Sequence, residues 1–138
     1  MKVSEALASA FLGEGTLHVF GLIGDANLKW WSAMAEGGAT MHSARHATAV
    51  VAMADAYAQT TGTVGVAAVT CGPALLHTAV PLTAAARARV PLVLFAGDTP
   101  TAGRGNPQEI DQHRIADLCE AGFVQVRTPA TVAADVQS

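Results

Sequence analysis

Apolar runs without polar alternation recur along this chain, and each is followed by a turn and a segment with helical spacing. Three such runs extend from Leu17 to Ile23, from Val64 to Thr70 and from Pro91 to Ala96. A strand that is apolar at successive positions is typical of a sheet covered on both faces. Strands that alternate with helices indicate parallel βαβ units. We therefore predict an α/β fold, a doubly wound and mostly parallel sheet with helices on both faces.

The remaining segments continue this alternation. Further strands are predicted at Thr40–Ser43 and Phe123–Val126, and a loop at Gly97–Pro107. The first predicted helix has its apolar face at Val3, Leu7, Ala10 and Phe11, with Ser4 as its N-terminal cap. The second has its apolar face at Leu28, Trp31 and Met34, is capped by Asp25 and ends at Gly37-Gly38. The longest predicted helix runs from about His46 to Thr61 and ends at Gly62, and its buried stripe is Ala49, Val50, Met53, Ala54 and Tyr57. Another helix is predicted from Ala74 to about Arg87. The segment Gln108–Glu120 is predicted to be partly helical, and a last element begins within Thr131–Ser138.

Composition excludes several classes of protein. Hydrophobic residues make up 51% of the chain and charged residues 14%, which favours a compact core over disorder. The net charge is −3 with no basic stripe, so no nucleic-acid partner is expected. No apolar run approaches the ~20 residues of a membrane span, and the first residues lack a signal-peptide core, so we expect a cytoplasmic protein. Cys71 and Cys119 lie far apart, which argues against a disulfide or a metal site.

The length of 138 residues suits one domain, since domains commonly have ~100–150 residues. We expect residues 1–138 to form a single domain that is cut short within its C-terminal helix. Ligands of doubly wound sheets bind at the carboxyl ends of the strands. The turns at those ends are Gly21–Asn27, Ser43–Thr48, Thr70–His77 and Gly97–Gln108. The first has two glycines but lacks the third glycine of a dinucleotide fingerprint, so it is equally consistent with a tight turn that binds nothing.

Several side chains at these turns suggest chemistry without establishing it. Cys71 at a helix start would be a candidate nucleophile, with His77 as its base. Ser43 with His46 suggests a hydrolase, although the chain has no G-x-S-x-G elbow. His42 and His46 straddle a predicted strand-to-helix boundary, which argues against a shared metal site. The acidic side chains near the fourth turn are interpreted as solvated; they are Asp98, Glu109 and Asp111. These patterns alone predict no particular reaction.

A series of short motifs, taken together, is more specific. In order they are Phe20-Gly21-Leu22-Ile23-Gly24-Asp25, Ala44-Arg45-His46, Ala54-Asp55-Ala56-Tyr57-Ala58, Thr61-Gly62, Val69-Thr70-Cys71-Gly72-Pro73, Val90-Pro91-Leu92 and Gln108-Glu109-Ile110-Asp111. Their order and spacing resemble the N-terminal domain of the acetolactate synthase-like thiamine-diphosphate (ThDP) enzymes. The resemblance runs from Val3 to about Ala130.

The resemblance implies the pyrimidine-binding (PYR) domain of the ThDP-binding fold, which holds the aminopyrimidine ring of the cofactor. In that family a second domain, usually from a partner chain, binds the diphosphate and Mg²⁺ through a G-D-G motif. Here Gly24-Asp25 is followed by Ala26, and Gly97-Asp98 by Thr99. We therefore expect ThDP as cofactor, Mg²⁺ supplied by a separate diphosphate-binding domain or subunit, and a homo- or hetero-oligomer.

The same resemblance implies a missing catalytic group. In the family a glutamate hydrogen-bonds the pyrimidine N1′ atom, at the end of an Arg-His-Glu pattern. Here the pattern is Arg45-His46-Ala47, so a methyl group replaces the carboxylate. Loss of acid–base help typically costs a factor of ~10²–10⁴. A deliberate substitution, a natural variant with another activation route and a degenerate paralogue all remain open.

Another departure concerns the turn that faces the pyrimidine in the family. It reads Gly72-Pro73-Ala74, where the family often has Gly-Pro-Gly, and His77 replaces an asparagine. By position, the candidate pocket residues are Ile23, Gly24, Ala47, Pro73, His77 and Gln108.

We predict that the chain forms half of a ThDP-dependent 2-oxo acid decarboxylase or carboligase, either as a fragment or as one subunit of a split enzyme. On its own the chain is expected to be inactive. The alternatives are a non-catalytic interaction or regulatory module of the same fold and an unrelated ligand-binding α/β domain. Ala47 is the main support for the module, which would dimerise without depending on the cofactor.

Overall fold

The structure is a computed structural model that describes residues 1–100, 102 and 105–138. Strands and helices alternate along these residues as α1 (Val3–Gly13), β1 (His18–Gly21), α2 (Leu28–Glu36), β2 (Thr40–Ser43), α3 (Ala47–Thr61), β3 (Gly65–Val69), α4 (Pro73–Leu76), α5 (Ala79–Arg87), β4 (Leu92–Ala96), α6 (Gln112–Leu118) and α7 (Val132–Gln137). The predicted loop at Gly97–Pro107 includes positions 101, 103 and 104, which lie outside the described residues.

The strands form one parallel sheet in the order β2-β1-β3-β4. Val19 of β1 pairs with Met41 on one side and with Val66 on the other. The predicted parallel sheet is therefore confirmed, and the bounds predicted for β2 are those observed. The other three strands are shorter than their apolar runs: β1 and β3 lie inside their runs at both ends, whereas β4 ends with its run at Ala96 and begins after Pro91.

Two cores cover the two faces of the sheet, which confirms the predicted doubly wound arrangement. Successive strand residues point to opposite faces, so Val19 and Phe20 belong to different cores. The first core contains buried residues of α1, α2 and α7, and the second contains those of α3, α5 and α6. Phe11, Trp30 and Phe95 form an aromatic cluster in the first core, with Trp30 stacked on Phe95 at 4.2 Å between ring centroids.

Both predicted helix caps were wrong. Helix α1 begins one residue before Ser4, with Lys2 as its N-cap, and the Lys2 backbone N–H donates to Glu5 at 3.0 Å. Helix α2 begins at Leu28 with Asn27 as its N-cap, so Asp25 lies in the turn before the helix and does not cap it. Gly37 ends α2 as predicted.

The buried faces of the first and third helices differ in part from those predicted. In α1 the structure buries Ala6, Leu7, Ala8 and Phe11, whereas Val3 is exposed and Ala10 half-buried. In α3 the buried residues are Ala47, Val50, Val51, Ala54 and Ala58, whereas Ala49 is exposed. Met53 and Tyr57 are half-buried against the same core, and Gly62 ends α3 in the left-handed conformation, as predicted.

The helix predicted from Ala74 to Arg87 is broken into α4 and α5, and Pro81 accounts for the break. Proline has no N–H, and its ring clashes with the carbonyl four residues earlier, which here belongs to His77. A continuous helix would therefore be disrupted at His77, where α4 ends. The buried Thr78 hydroxyl donates to the Leu75 carbonyl oxygen at 2.6 Å and replaces a helical hydrogen bond there.

The strand predicted at Phe123–Val126 is not present; these described residues have no regular structure. Phe123 packs against His113 of α6 with ring centroids 5.0 Å apart. Phe123 and Val124 also line a cavity of 190 Å³ between α6 and β4. Their apolar side chains thus contact a helix, and the segment does not pair with the edge of β4.

An exposed ion pair joins the end of α5 to the turn after α6. Arg87 donates from Nε and Nη2 to Glu120 at 3.2 and 2.7 Å. The hydrogen bond and the charge of Arg87 lower the pKa of the Glu120 carboxyl, and Glu120 in turn raises the pKa of Arg87. Exposed pairs of this kind contribute little to stability. In the described part of the chain, no helix is long and apolar enough to cross a membrane.

Candidate functional site

The carboxyl ends of the parallel strands bring the four predicted turns to one edge of the sheet. Backbone hydrogen bonds continue between strands just beyond the sheet at this edge. Leu22 N–H donates to Ala68 at 3.0 Å, Ala44 N–H to Gly21 at 2.9 Å, and Gly97 N–H to Val69 at 3.1 Å. The turns therefore start from a rigid base, as a binding site at such an edge requires.

The turn after β1 is held by a fully buried asparagine. Asn27 accepts a hydrogen bond from Gly24 N–H at 2.8 Å and donates to the Leu22 carbonyl oxygen at 3.0 Å. Gly24 lies against the turn after β3, since a Cβ atom there would come within 2.6 Å of the Thr70 hydroxyl oxygen. Two neighbouring turns therefore touch at a position that only glycine fits.

Replacing Asn27 by alanine is expected to lower the free energy of unfolding by about 2 kcal/mol, since it leaves the partly buried Gly24 N–H and Leu22 carbonyl oxygen without their side-chain partner. Asp25→Ala is the matched control; Asp25 is exposed and caps no helix, so the change should stay within about 0.5 kcal/mol. Urea unfolding of Asn27→Ala and Asp25→Ala measures the loss in the free energy of unfolding for each variant. A larger loss for Asp25→Ala than for Asn27→Ala would contradict the role of the Asn27 side chain in holding this turn.

The turn after β3 packs on the loop that precedes α6. Gly72 has φ +63° and ψ −123°, and a Cβ atom there would lie 2.5 Å from the Gln108 carbonyl oxygen. The Cys71 thiol, only 4% exposed, lies 3.6 Å from the Gln108 side-chain oxygen. Gln108 is thus held against this turn, as its predicted place in the pocket requires.

The start of α3 presents two polar side chains around a buried methyl group. His46 is the N-cap, and its Nδ1 atom accepts a hydrogen bond from Thr48 N–H at 3.2 Å. Ala47, between them, is 1% exposed. The Thr48 hydroxyl donates to the His77 carbonyl oxygen at 2.6 Å, and the His46 and His77 rings stack at 4.9 Å and 13°. His77 is therefore in contact with both neighbours of Ala47.

The predicted pocket residues all lie at this edge of the sheet, and their contacts divide them into two groups. His46, Thr48 and His77 surround Ala47, and the Pro73 carbonyl oxygen accepts from His77 N–H at 3.1 Å. Gly24 adjoins Thr70, and Gln108 adjoins the turn at Gly72. Ile23 is 43% exposed beside Gly24. The role of these residues in binding stays a prediction.

The geometry does not support the other chemistries considered from the sequence. Cys71 pairs with Gln108, whereas the His77 ring lies on His46, so the two do not form a nucleophile–base pair. His42 pairs with His18 at 3.0 Å between ring nitrogens, and His46 faces away from it toward His77. Among the described residues no group of three or more potential metal ligands is present.

A cavity of 630 Å³ opens at the same edge, on the side of α1 and α2. Cys71 and Gln108 form part of its wall, and Lys2, Lys29 and Trp30 line the side opposite. The Trp30 indole nitrogen is buried without a hydrogen-bond partner in the described part of the chain. The sequence analysis missed these residues of α1 and α2, because apolar spacing predicts a buried helix face but not which buried side chain borders a cavity.

These features define a class of protein, an open parallel α/β domain whose candidate binding edge is built from small-residue turns. Residues 1–115 match the family described as "Thiamine pyrophosphate enzyme, N-terminal TPP binding domain". The chain belongs to this family, in which thiamine pyrophosphate is another name for ThDP. The predicted family membership and fold are thereby confirmed.

Two groups of relatives match over most of the chain. It is 39% identical over 119 residues to 2-hydroxyacyl-CoA lyase 2 of Danio rerio, covering 84% of the chain and 19% of that protein. It is 31% identical over 129 residues to the acetolactate synthase large subunit of Buchnera aphidicola, covering 91% of the chain and 23% of that protein. It is also 32% identical over 113 residues to a probable acetolactate synthase large subunit of Methanocaldococcus jannaschii, covering 80% of the chain. The chain spans about a fifth of the length of these relatives.

Proposed function

We propose that this chain binds ThDP through its aminopyrimidine ring, as one half of a ThDP-dependent 2-oxo acid decarboxylase or carboligase. The family match over residues 1–115 is the observation that carries the proposal. The edge supports it, since Gly24 and Gly72 let neighbouring turns pack closely on one another and so hold the candidate pocket residues at one edge of the sheet, beside the start of α3. When bound, ThDP supplies a carbon nucleophile that adds to the carbonyl group of the substrate.

The proposal assigns the chain's own residues a binding role. Residues 1–138 would act as a single pyrimidine-binding domain, lined by Ile23, Gly24, Ala47, Pro73, His77 and Gln108. The diphosphate and Mg²⁺ would be bound by another domain or subunit, so the working assembly would be a homo- or hetero-oligomer. This agrees with the small share of the relatives' length that the chain spans. We place the assembly in the cytoplasm on composition alone.

A second candidate function is an interaction or regulatory module that keeps the fold without the chemistry. Ala47 favours it, because a buried methyl group cannot hydrogen-bond the pyrimidine ring. Such a module would pair with other chains without depending on ThDP.

Calorimetric titration of ThDP and Mg²⁺ into the chain distinguishes these functions. We expect binding about a hundredfold tighter when a diphosphate-binding subunit from the same genome is present, because the two halves then contact one ligand. The partner subunit alone is the control. If a folded chain leaves the affinity of the partner unchanged, the ThDP proposal is wrong and the module is favoured.

A further inference from the structure

Two exposed imidazole rings face each other beside Ala47 without an acidic partner. The His46 and His77 rings are nearly parallel, 13° apart, with centroids separated by 4.9 Å. This is an offset-stacked arrangement. In the part of the chain that the structure describes, no carboxylate forms an ion pair with either ring. Hydrogen-bonding positions on the His77 ring therefore remain available to a ligand.

Pro81 and Thr48 together hold the backbone of His77. In a continuous helix the residue at position 81 would donate its N–H to the His77 carbonyl oxygen, but proline has none. The Thr48 hydroxyl fills that place at 2.6 Å. Because Thr48 lies in the first turn of α3, this bond ties the end of α4 to the start of α3. The position of His77 is thus set from a second element.

His46 is held by a different bond and supports the ring of its neighbour. Its Nδ1 atom accepts from Thr48 N–H at 3.2 Å, so the proton of the neutral ring lies on Nε2. A ring with one nitrogen occupied by a helix cap has little freedom to turn. His46 therefore gives His77 a fixed surface to stack on, while Thr48 contacts both histidines.

We propose that His77 makes the polar contact to the aminopyrimidine ring that Ala47 cannot make, with Thr48 and His46 as its positioning residues. This inference rests on the proposed function. A neutral imidazole ring has one N–H donor and one acceptor nitrogen, so it can donate to a ring nitrogen or accept from an amino group of the ligand. Among the six pocket residues, His77 alone has an ionisable side chain.

The test is a titration of 4-amino-2-methylpyrimidine, the ring portion of ThDP, into the full chain with ¹³C-labelled histidine. We expect the His77 and His46 ring signals to shift on binding while those of His113 on α6 do not. His77→Asn, which restores the amide that the family often has, should keep binding within about threefold, because an amide also donates and accepts hydrogen bonds. His77→Ala should weaken binding about tenfold, the value of one lost hydrogen bond.

Two further variants separate positioning from folding. Thr48→Val removes the hydroxyl at nearly constant volume and should weaken binding about threefold while the chain stays folded. His113→Asn is the matched control for the loss of an exposed histidine and should change nothing. Binding with unshifted His77 signals, or with undiminished affinity in His77→Ala, overturns the inference and leaves the proposed function standing. If neither the pyrimidine nor ThDP with the partner subunit binds, both are overturned.

Discussion

Gly72→Ala is expected to lower the free energy of unfolding by about 4 kcal/mol. Two effects combine in this estimate. The observed φ of +63° with ψ of −123° costs a residue with a Cβ atom about 2 kcal/mol. The added atom would also lie 2.5 Å from a backbone oxygen of Gln108, and relieving that overlap costs about 2 kcal/mol more. Chemical denaturation of the wild-type chain and of Gly72→Ala measures this difference in the free energy of unfolding.

Gly62→Ala is the matched control. Gly62 also has a positive φ, +69°, but no non-neighbouring atom of the described residues lies within 4 Å of the place where its Cβ atom would stand. Its substitution should therefore cost only about 1 kcal/mol, the conformational part alone. Equal losses at the two glycines would show that the contact with Gln108 does not matter.

The Gly72 variant has a second expected effect, on a thiol. Movement of Gln108 would uncover Cys71, whose sulfur is 4% exposed and lies against the Gln108 side chain. Cys71 should then react faster with a disulfide reagent, whereas the fully buried Cys119 should not. Unchanged Cys71 reactivity in a destabilised variant would mean that the strain is relieved elsewhere.

Much of the fold was predictable because apolar runs and glycines act locally. An all-apolar strand such as Val66–Val69 needs two covered faces, and Gly62 ends α3 by its own conformational freedom. The caps were less predictable, since both Asp25 and Asn27 are residues that favour helix starts. Only the packed turn shows that the Asn27 side chain reaches two backbone groups.

The candidate site was predictable at the level of the sheet edge and no further. Parallel strands place their carboxyl ends together whatever the side chains are, so the turns containing Gly24 and Pro73 were expected at one edge of the sheet. The observed pairing of β1 with β3 makes these two turns neighbours. The contact of Thr48 with the carbonyl of His77 depends on a helix break caused by Pro81, which the apolar pattern of that segment does not reveal. Pro81 lies four residues after His77, and its position in the sequence could have predicted this helix break.

Ala47→Glu should have opposite effects on the isolated chain and on the proposed assembly. In the isolated chain the new carboxylate would replace a methyl group that is only 1% exposed, so it would lose most of its contact with water. An uncompensated buried charge costs about 3 kcal/mol of stability at neutral pH. Ala49→Glu is the matched control, because Ala49 is exposed in the same helix turn and an acid near a helix start is tolerated. Thermal or urea unfolding compares the stability of Ala47→Glu with that of Ala49→Glu.

The pH dependence of the Ala47→Glu loss has a definite sign. Burial raises the pKa of the introduced carboxyl above its ordinary value of about 4.3. Between the unfolded and the folded pKa the native chain then binds more protons than the unfolded chain, so stability falls as pH rises through that window. The loss relative to wild type should be absent below about pH 4 and complete above the folded pKa. A loss independent of pH would indicate a steric cause.

With ThDP, Mg²⁺ and a diphosphate-binding partner, the same carboxylate gains a partner in the pyrimidine ring. If the proposed function is correct, the variant should turn over a 2-oxo acid ~10²–10⁴ times faster than the wild-type mixture, the usual contribution of one acid–base group. ThDP should also recover part of the lost stability, since a ligand that binds only the folded state stabilises it. Ala49→Glu should show neither gain. If Ala47→Glu binds ThDP in the mixture without faster turnover, the chain lacks more than one carboxylate, and the non-catalytic module becomes the better account of it.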